Sequence, residues 1–376
     1  MIPVTSSVTI AGAAAEADAA ARALSEVAAA FPALRGQGMP SDADCRAVYE
    51  GLGRRGLIGL HWPEALGGRG LTALHTVAAE ERFGYHWLPL SSYLLSVKTI
   101  GNALMQFSRP LAARFLPPIA AGQTVFCQGF SESDAGSDLA ALRTTGQVHG
   151  DRLVISGRKI WTSSVDQADW IYLAVRTGPD RHRGLSVVLA EMSAPGLAWS
   201  VHRTVGGGTL GEVVLDQVEV PLTQVVGEID AGWKVIMGTL DYERVTSEKV
   251  GTALWLLDRL GELAPAGWVR RLRTLRGAAL AARLHGRRAT ELLAADRPAA
   301  TAASMAKLSI ALLLQQIAEA AVDMLGPRAL IEDGEDAVLG GRVAAFARAV
   351  SGATIAGGAA EIQRRVIARQ GLGCPR

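Results

Sequence analysis

The spacing of apolar positions changes twice along this chain. Over residues 1–121 they recur at helical intervals, which predicts an N-terminal α-helical domain. Helices are expected at 13–31, from a cap at Ser41-Asp42-Ala43-Asp44 to about 55, and at 72–85, 91–107 and 109–120. Between the second and third of these, the Gly- and Pro-rich segment GLIGLHWPEALGGRGLT (56–72) interrupts the pattern. Along 72–85, Leu74, Val77, Ala78 and Glu81 fall at helical spacing, and the adjacent carboxylates Glu80 and Glu81 are expected on a solvated helix edge.

From Gly122 the period shortens towards two. Strand-like runs are predicted at 125–129, 153–155, 170–176, 185–191, 211–215 and 217–220, with turns at 149–151 and 157–159. Their spacing suits a middle antiparallel β-barrel or sandwich domain over 122–230, its last strand ended by Pro221. Over 231–376 the helical period returns in runs at 233–263, 269–285, 299–325, 337–350 and 359–370. These predict a C-terminal bundle of four-helix type, and the fold class is α+β.

Composition narrows the function classes. A chain of 376 residues is long enough for two or three domains, and with 49% apolar residues it can bury a large core. A net charge of +2 argues against nucleic acid as the main partner. The cluster Arg270, Arg271, Arg273, Arg276, Arg283, Arg287 and Arg288 has no interleaved aromatics, so a solvated or intersubunit face is expected for it. Cys45, Cys127 and Cys374 are scattered without metal-ligand spacing, which predicts no metal site, no disulfide framework and a reducing, cytoplasmic setting. The Ala-rich start carries Glu16 and Asp18 without a basic opening and is not read as a signal or transit peptide. No uninterrupted apolar run reaches the roughly 18 residues of a spanning helix, so no membrane span is expected.

The chemistry-bearing stretch is 127–177. Its loop at 130–138 gathers Ser131, Ser133, Gly136 and Ser137, short residues that let backbone N–H groups and hydroxyls approach a phosphate or a ring edge. Further on, Trp161 and Ser163 stand two residues apart, on one face of a strand. An aromatic plate beside a hydroxyl suits a planar ring that needs stacking and one hydrogen bond.

FSESDAGSDLA (130–140), GRKIWTSS (157–164) and ADWIYLAVRT (168–177) together resemble the signature of the acyl-CoA dehydrogenase family. The likeness extends over most of the chain, through HRGLSVVLAEMSAPGLAW (182–199) and EVVLDQVEVP (212–221). It implies FAD as cofactor, with Phe130 and Ser131 at the flavin edge, Gly136 and Ser137 near the pyrophosphate, and Trp161 and Ser163 against the ring and its N5 side. Ser137 would also touch substrate. Gly358 and Glu361, in the closing motif, would face the cofactor.

The implied reaction is FAD-dependent α,β-dehydrogenation of an acyl-CoA thioester to the trans-2-enoyl thioester, with electrons passed to an electron-transfer flavoprotein. It needs a carboxylate to remove the α-proton while hydride leaves the β-carbon, and an apolar pocket can tune such a base. The family places that base at one of two positions. Aligning Ile362-Gln363-Arg364 with the closing motif puts Gly357 at the commoner one, while LDYERV supplies Glu243 at the other; Glu361, in a slot the family fills with Gln or Glu, is the rival. Arg244 would then point away from the base, to the thioester end or to a structural carboxylate.

Two features depart from the family pattern. The Arg-x-x-Phe-Gly motif that reaches a neighbouring subunit's pyrophosphate is missing from LAPAGWVRRLRTLRGAAL (263–280), and Ala359-Ala360 replace Thr-Ser. Both resemble the actinobacterial branch that works on steroid side chains, some of whose members form two-gene heterotetramers. The implied assembly is a homodimer, a homotetramer or a heterotetramer with a homologous chain. Two alternatives stand beside the acyl-CoA reading: an acyl-carrier-protein dehydrogenase of secondary metabolism, and a non-catalytic partner subunit.

Overall fold

A computed structural model describes residues 42–375. The helix expected at 13–31 and the cap residue Ser41 lie outside the described residues. The first described helices are α1 (Asp42–Arg54), α2 (Ala73–Tyr85), α3 (91–107) and α4 (Arg109–Ala120). Within α3 the middle portion, Leu94–Gly101, is wound as wider π-turns between α-helical ends at Ser91–Tyr93 and Asn102–Phe107. In α4, Pro110 sits in the first turn, where a missing N–H costs nothing.

The buried face of α2 is not the one that the spacing suggested. Thr76, Val77, Ala79, Glu80, Phe83 and Gly84 face inward, while Leu74 is 41% exposed. Glu80 and Glu81 are not on a solvated edge either. Glu80 is buried against Lys98, and Glu81 makes a two-pronged ion pair with Arg283 (2.8 and 2.6 Å). Each carboxylate has a cationic partner on another helix, which is what lets it leave water.

The middle of the chain forms one seven-stranded sheet in the order β1-β4-β2-β3-β7-β6, with β5 on the other side of β4. The strands are β1 (Phe126–Gly129), β2 (Thr145–His149), β3 (Arg152–Ser163), β4 (Trp170–Arg176), β5 (Leu185–Glu191), β6 (Leu197–Arg203) and β7 (Thr209–Pro221). β1 and β2 pair with β4 in parallel, and the remaining pairs are antiparallel. Tyr172 and Ala174 of β4 join the core under the N-terminal helices, whereas Ile171, Leu173 and Val175 face a second core made with β3, β5 and β7. Burial on both faces explains the near-continuous apolar run of β4.

Residues 157–159 are not a turn. β3 runs straight through them, and the register slips between Ile155 and Gly157. A Cβ on Gly157 would stand 2.7 Å from the Thr144 backbone, so glycine here marks a bulge at a close strand approach. The two runs at 211–215 and 217–220 likewise belong to one strand, β7. β2 and β6 escaped the periodicity reading because most of their residues are exposed, leaving no apolar face to detect.

The C-terminal part comprises α5 (Gly232–Glu243), α6 (Ser247–Leu263), α7 (Val269–Ala294), α8 (Ala300–Leu325), α9 (Arg342–Ala353) and α10 (Ala360–Val366). The run at 233–263 is therefore two helices, broken immediately after Glu243. α7 extends beyond the expected run, and the helix expected at 337–350 begins only at Arg342. α8 is the centre of this part and packs on α7, α9 and α10, with α2 laid across α6. A third core, rich in Leu and Ala, fills the bundle.

Candidate functional site

The loop after β1 is anchored from below by one buried ion pair. Lys159 of β3 is fully buried and donates to the Glu132 carboxylate at 2.8 Å and to the Phe130 carbonyl at 3.3 Å. Glu132 also accepts the backbone N–H groups of Arg143 (2.6 Å) and Thr144 (2.9 Å). Burial pushes the Lys159 ammonium down to about 8, with Glu132 opposing the shift. Burial works against ionised Glu132 too, but Lys159 and the hydrogen bonds from Thr144 and Arg143 outweigh it and hold the carboxyl below its ordinary range. The Ile160 N–H to Ser131 carbonyl bond (2.9 Å) completes the tie between loop and strand.

With its backbone fixed in this way, the loop presents its side chains outward. Among the described residues the hydroxyls of Ser131, Ser133 and Ser137 make no hydrogen bond, and the space where a Gly136 Cβ would stand is open. Phe130 and Ala135 are exceptions, as is Glu132 on Lys159: both apolar side chains are buried, and Phe130 packs on Tyr172 with ring centroids 5.6 Å apart. Trp161 sits in a second irregularity of β3, between Lys159 and Thr162, with φ of 59° and 66% of its surface exposed. Ser163 is half-buried, and Thr162 between them turns inward, its hydroxyl buried without a partner among the described residues. An uncovered indole, unengaged hydroxyls and an open glycine cradle fit a planar ring carrying phosphates.

A short chain of contacts leads from this loop to the end of α5. The ring beneath Phe130, Tyr172, exchanges a 2.9 Å hydrogen bond with Thr239, and Thr239 lies one helical turn before Glu243. Glu243 is the last residue of α5; its Oε2 is buried without a partner among the described residues. Its Oε1 lies 3.1 Å from the point that a Gly357 Cβ would occupy. Gly357 and Gly358 both have positive φ (66° and 90°), and the amide of Gln363 donates to their carbonyls at 3.3 and 2.9 Å. The helix end at Glu243 and the glycine loop before α10 thus converge on one spot.

Other expected site residues fall elsewhere. Arg244 is buried and donates to Asp241 at 3.0 Å, leaving its Nε without a partner among the described residues. Burial raises the Asp241 carboxyl against the opposing pull of Arg244. Glu361 opens the first turn of α10, but its carboxylate is exposed and pairs with Arg364 at 3.4 Å.

Buried lysines were missed in the sequence. Lys98 stands buried between Glu80 (2.9 Å) and Glu248 (3.1 Å). Burial, together with the Glu248 charge, raises Glu80 to about 7 against the pull of Lys98; the Lys98 pKa also rises, since the two carboxylates outweigh its burial. Lys307 is another, buried on α8 with its Nζ 3.6 Å from the same Gly357 Cβ position. A signal was available: only five of the 38 basic residues are lysines, and Lys98, Lys159 and Lys307 are all buried.

Comparison with known proteins gives a consistent picture. The N-terminal, middle and C-terminal domains described for acyl-CoA dehydrogenases match residues 14–123, 127–218 and 230–372. The chain is 35% identical to the acyl-CoA dehydrogenase IpdE1 of Mycobacterium tuberculosis over 93% of its own length and 94% of that protein's. It is 32% identical to the acyl-CoA dehydrogenase FadE26 of the same organism, covering 88% of each. Among solved structures, the Tcur3481-Tcur3483 steroid ACAD superposes with a TM-score of 0.84 at 29% identity, over 96% of this chain and 98% of that one. The ChsE4-ChsE5 complex from Mycobacterium tuberculosis does so with a TM-score of 0.82 at 29% identity, over 100% of both chains.

Proposed function

The chain belongs to the acyl-CoA dehydrogenase family of flavin-dependent oxidoreductases, and we propose that it dehydrogenates an acyl-CoA thioester at Cα–Cβ with FAD as cofactor and Glu243 as the base. One observation carries the assignment of the base. The two positions from which the family draws its carboxylate meet in space, 3.1 Å apart as measured from Glu243 Oε1 to the Gly357 Cβ position, and only Glu243 supplies an acid.

When bound, FAD would supply the hydride-accepting chemistry at Cβ, with an electron-transfer flavoprotein as the onward electron acceptor. The chain's own residues do the rest. Trp161 offers its exposed face to the ring, Phe130 backs the loop from within, and Ser131, Gly136, Ser137 and Ser163 offer donors to the ring edge and phosphates. Gly358, where a Cβ would overlap the Gln363 amide, keeps the closing loop narrow and open to the cofactor. The unpartnered Oε2 of Glu243 is free to receive the α-proton, while Arg244, held by Asp241, directs its remaining N–H groups to the thioester end. Glu361 is left out of the proposal because it is exposed and already paired.

The proposal includes assembly with a second chain, either a copy or a homologue. ChsE4-ChsE5 is itself a complex of two chains, and here Ala359-Ala360 and the missing Arg-x-x-Phe-Gly motif leave fewer phosphate donors for a partner to add to. The test is anaerobic bleaching of the flavin absorbance by short, branched and steroid side-chain acyl-CoAs, with acyl-carrier-protein thioesters alongside. Glu243→Gln keeps size and hydrogen bonding but removes the base, so bleaching should slow by about a hundredfold to ten-thousandfold with flavin still bound. A variant that bleaches at close to the native rate would sink the assignment.

A further inference from the structure

We propose that Lys307 is a positioning residue for Glu243: its ammonium, facing the Gly357 gap from α8, holds the carboxylate at the spot where it accepts a proton. The inference rests on the reading of Glu243 as the base.

The geometry is a glycine-sized gap with an opposite charge on either side. Glu243 Oε1 lies 3.1 Å and Lys307 Nζ 3.6 Å from the point that a Gly357 Cβ would occupy. Among the described residues no ion pair or hydrogen bond joins Lys307 directly to Glu243 or to anything else. A buried ammonium without a direct partner is costly, and it persists where a nearby opposite charge compensates it.

The charges around Lys307 single out Glu243 as that compensation. Glu248 and Lys249 approach from α6, Lys98 from α3 and Glu243 from α5. Glu248 is already engaged by Lys98 at 3.1 Å, and Lys249 and Lys98 repel. On α7, His285 meets α8 at Ser309 (3.3 Å), and the Glu361, Arg364 and Arg365 side chains of α10 are exposed. Burial, followed by Lys249, pushes the Lys307 ammonium down to about 7, with Glu243 and Glu248 opposing the shift. Its charge therefore changes near neutral pH. Below that value the ammonium holds the carboxylate; as pH rises through it, the hold is released.

The scarcity of lysine makes a direct test practical. The whole chain has five lysines, so biosynthetic labelling at Cε gives five NMR signals to titrate in the intact holoenzyme. Lys307, assigned by its loss in Lys307→Met, should titrate near pH 7, and in Glu243→Gln its midpoint should fall by roughly one unit or more, because an opposite charge has gone. In single-turnover bleaching, the native rate should decline above about pH 7, as the positioning charge is lost. Lys307→Met should be uniformly slow without that limb, and Lys307→Arg, permanently charged, should recover rate and also lack the limb. An unmoved Lys307 midpoint in Glu243→Gln overturns the inference, as does a Lys307→Met enzyme with the native rate and pH profile. If instead Glu243→Gln itself stays active, it is the base assignment that fails, and the Lys307 titration still reports whether the two charges interact.

Discussion

At the residue scale, the site depends on what glycine leaves out and on what a strand irregularity turns outward. Gly357 has φ of 66°, where any side chain costs about 1–2 kcal/mol, and a Cβ there would press on Glu243 Oε1. Glycine therefore leaves room for a carboxylate delivered from another helix. Trp161 is the converse case. Strict alternation predicts its face, but the register shift between Lys159 and Thr162 is what exposes the indole. If that face carries the flavin, Trp161→Ala should weaken flavin retention roughly tenfold, the order of one lost stacking contact. The measurement is flavin per chain after gel filtration, together with the visible spectrum; unchanged values for both would remove Trp161 from the cofactor site. The serines of the loop were legible as a group because short polar residues and glycine cluster there. Their anchor, Lys159 with Glu132, was not, because a lone lysine and a lone glutamate 27 residues apart carry no spacing signal.

At the scale of elements, α2, α3 and α6 are joined by Lys98 between Glu80 and Glu248. Two glycines make that crossing possible: a Cβ on Gly84 or Gly251 would overlap the backbone of the facing helix. Lys98→Met should leave two carboxylates facing each other in the core and cost about 3–5 kcal/mol at pH 7.5. The sign of the pH dependence follows from Glu80, whose carboxyl is already raised to about 7 with Lys98 present. A carboxyl with a folded pKa above its unfolded one favours folding in acid and loses that contribution as pH rises from about 4.5 through the folded value. The variant's penalty should therefore shrink towards pH 5, as read from denaturant midpoints at the two pH values. An equal penalty at both would mean that the triad does not hold an uncompensated charge. Reading Glu80 and Glu81 as a solvated edge failed because their partners, Lys98, Glu248 and Arg283, lie 18, 168 and 202 residues away in the chain or across the triad.

At the scale of the molecule, three large cores divide the described residues: one between the N-terminal helices and the sheet, one within the sheet, and one inside the bundle, with a small fourth cluster of Val77, Val245, Ala289 and Ala303. α8 lies in the bundle core. By length and composition the stretch Ala300–Leu330 would pass for a membrane-crossing helix, but the inward face of α8 is packed against α7, α9 and α10. α7 shows the opposite behaviour: Leu280 (40%) and Leu284 (62%) are exposed one turn apart, beside the exposed Arg287 and Arg288. An uncovered apolar pair on a long helix fits an intersubunit face. Leu284→Glu should therefore weaken association about tenfold or more, as measured by sedimentation across a dilution series. A native protein that is monomeric and fully active at nanomolar concentration would count against assembly altogether.

What the sequence determined by itself is what local spacing and a contiguous motif can carry. Helical and strand periods marked the order helix, sheet, helix, and the runs at Phe126–Gly129, Trp170–Arg176 and Leu185–Glu191 could be read because burial on both faces keeps them apolar. The cofactor loop was readable because its residues are neighbours in the chain. Tertiary structure alone decided where α5 ends, since the break at Arg244–Thr246 falls in a stretch whose helical period continues on either side. It alone also brought Glu243, Lys307 and Gly357 together from a helix end, a helix interior and a loop spread over more than a hundred residues. Coulombic attraction and desolvation depend on distance in space, and separation along the chain does not report that distance.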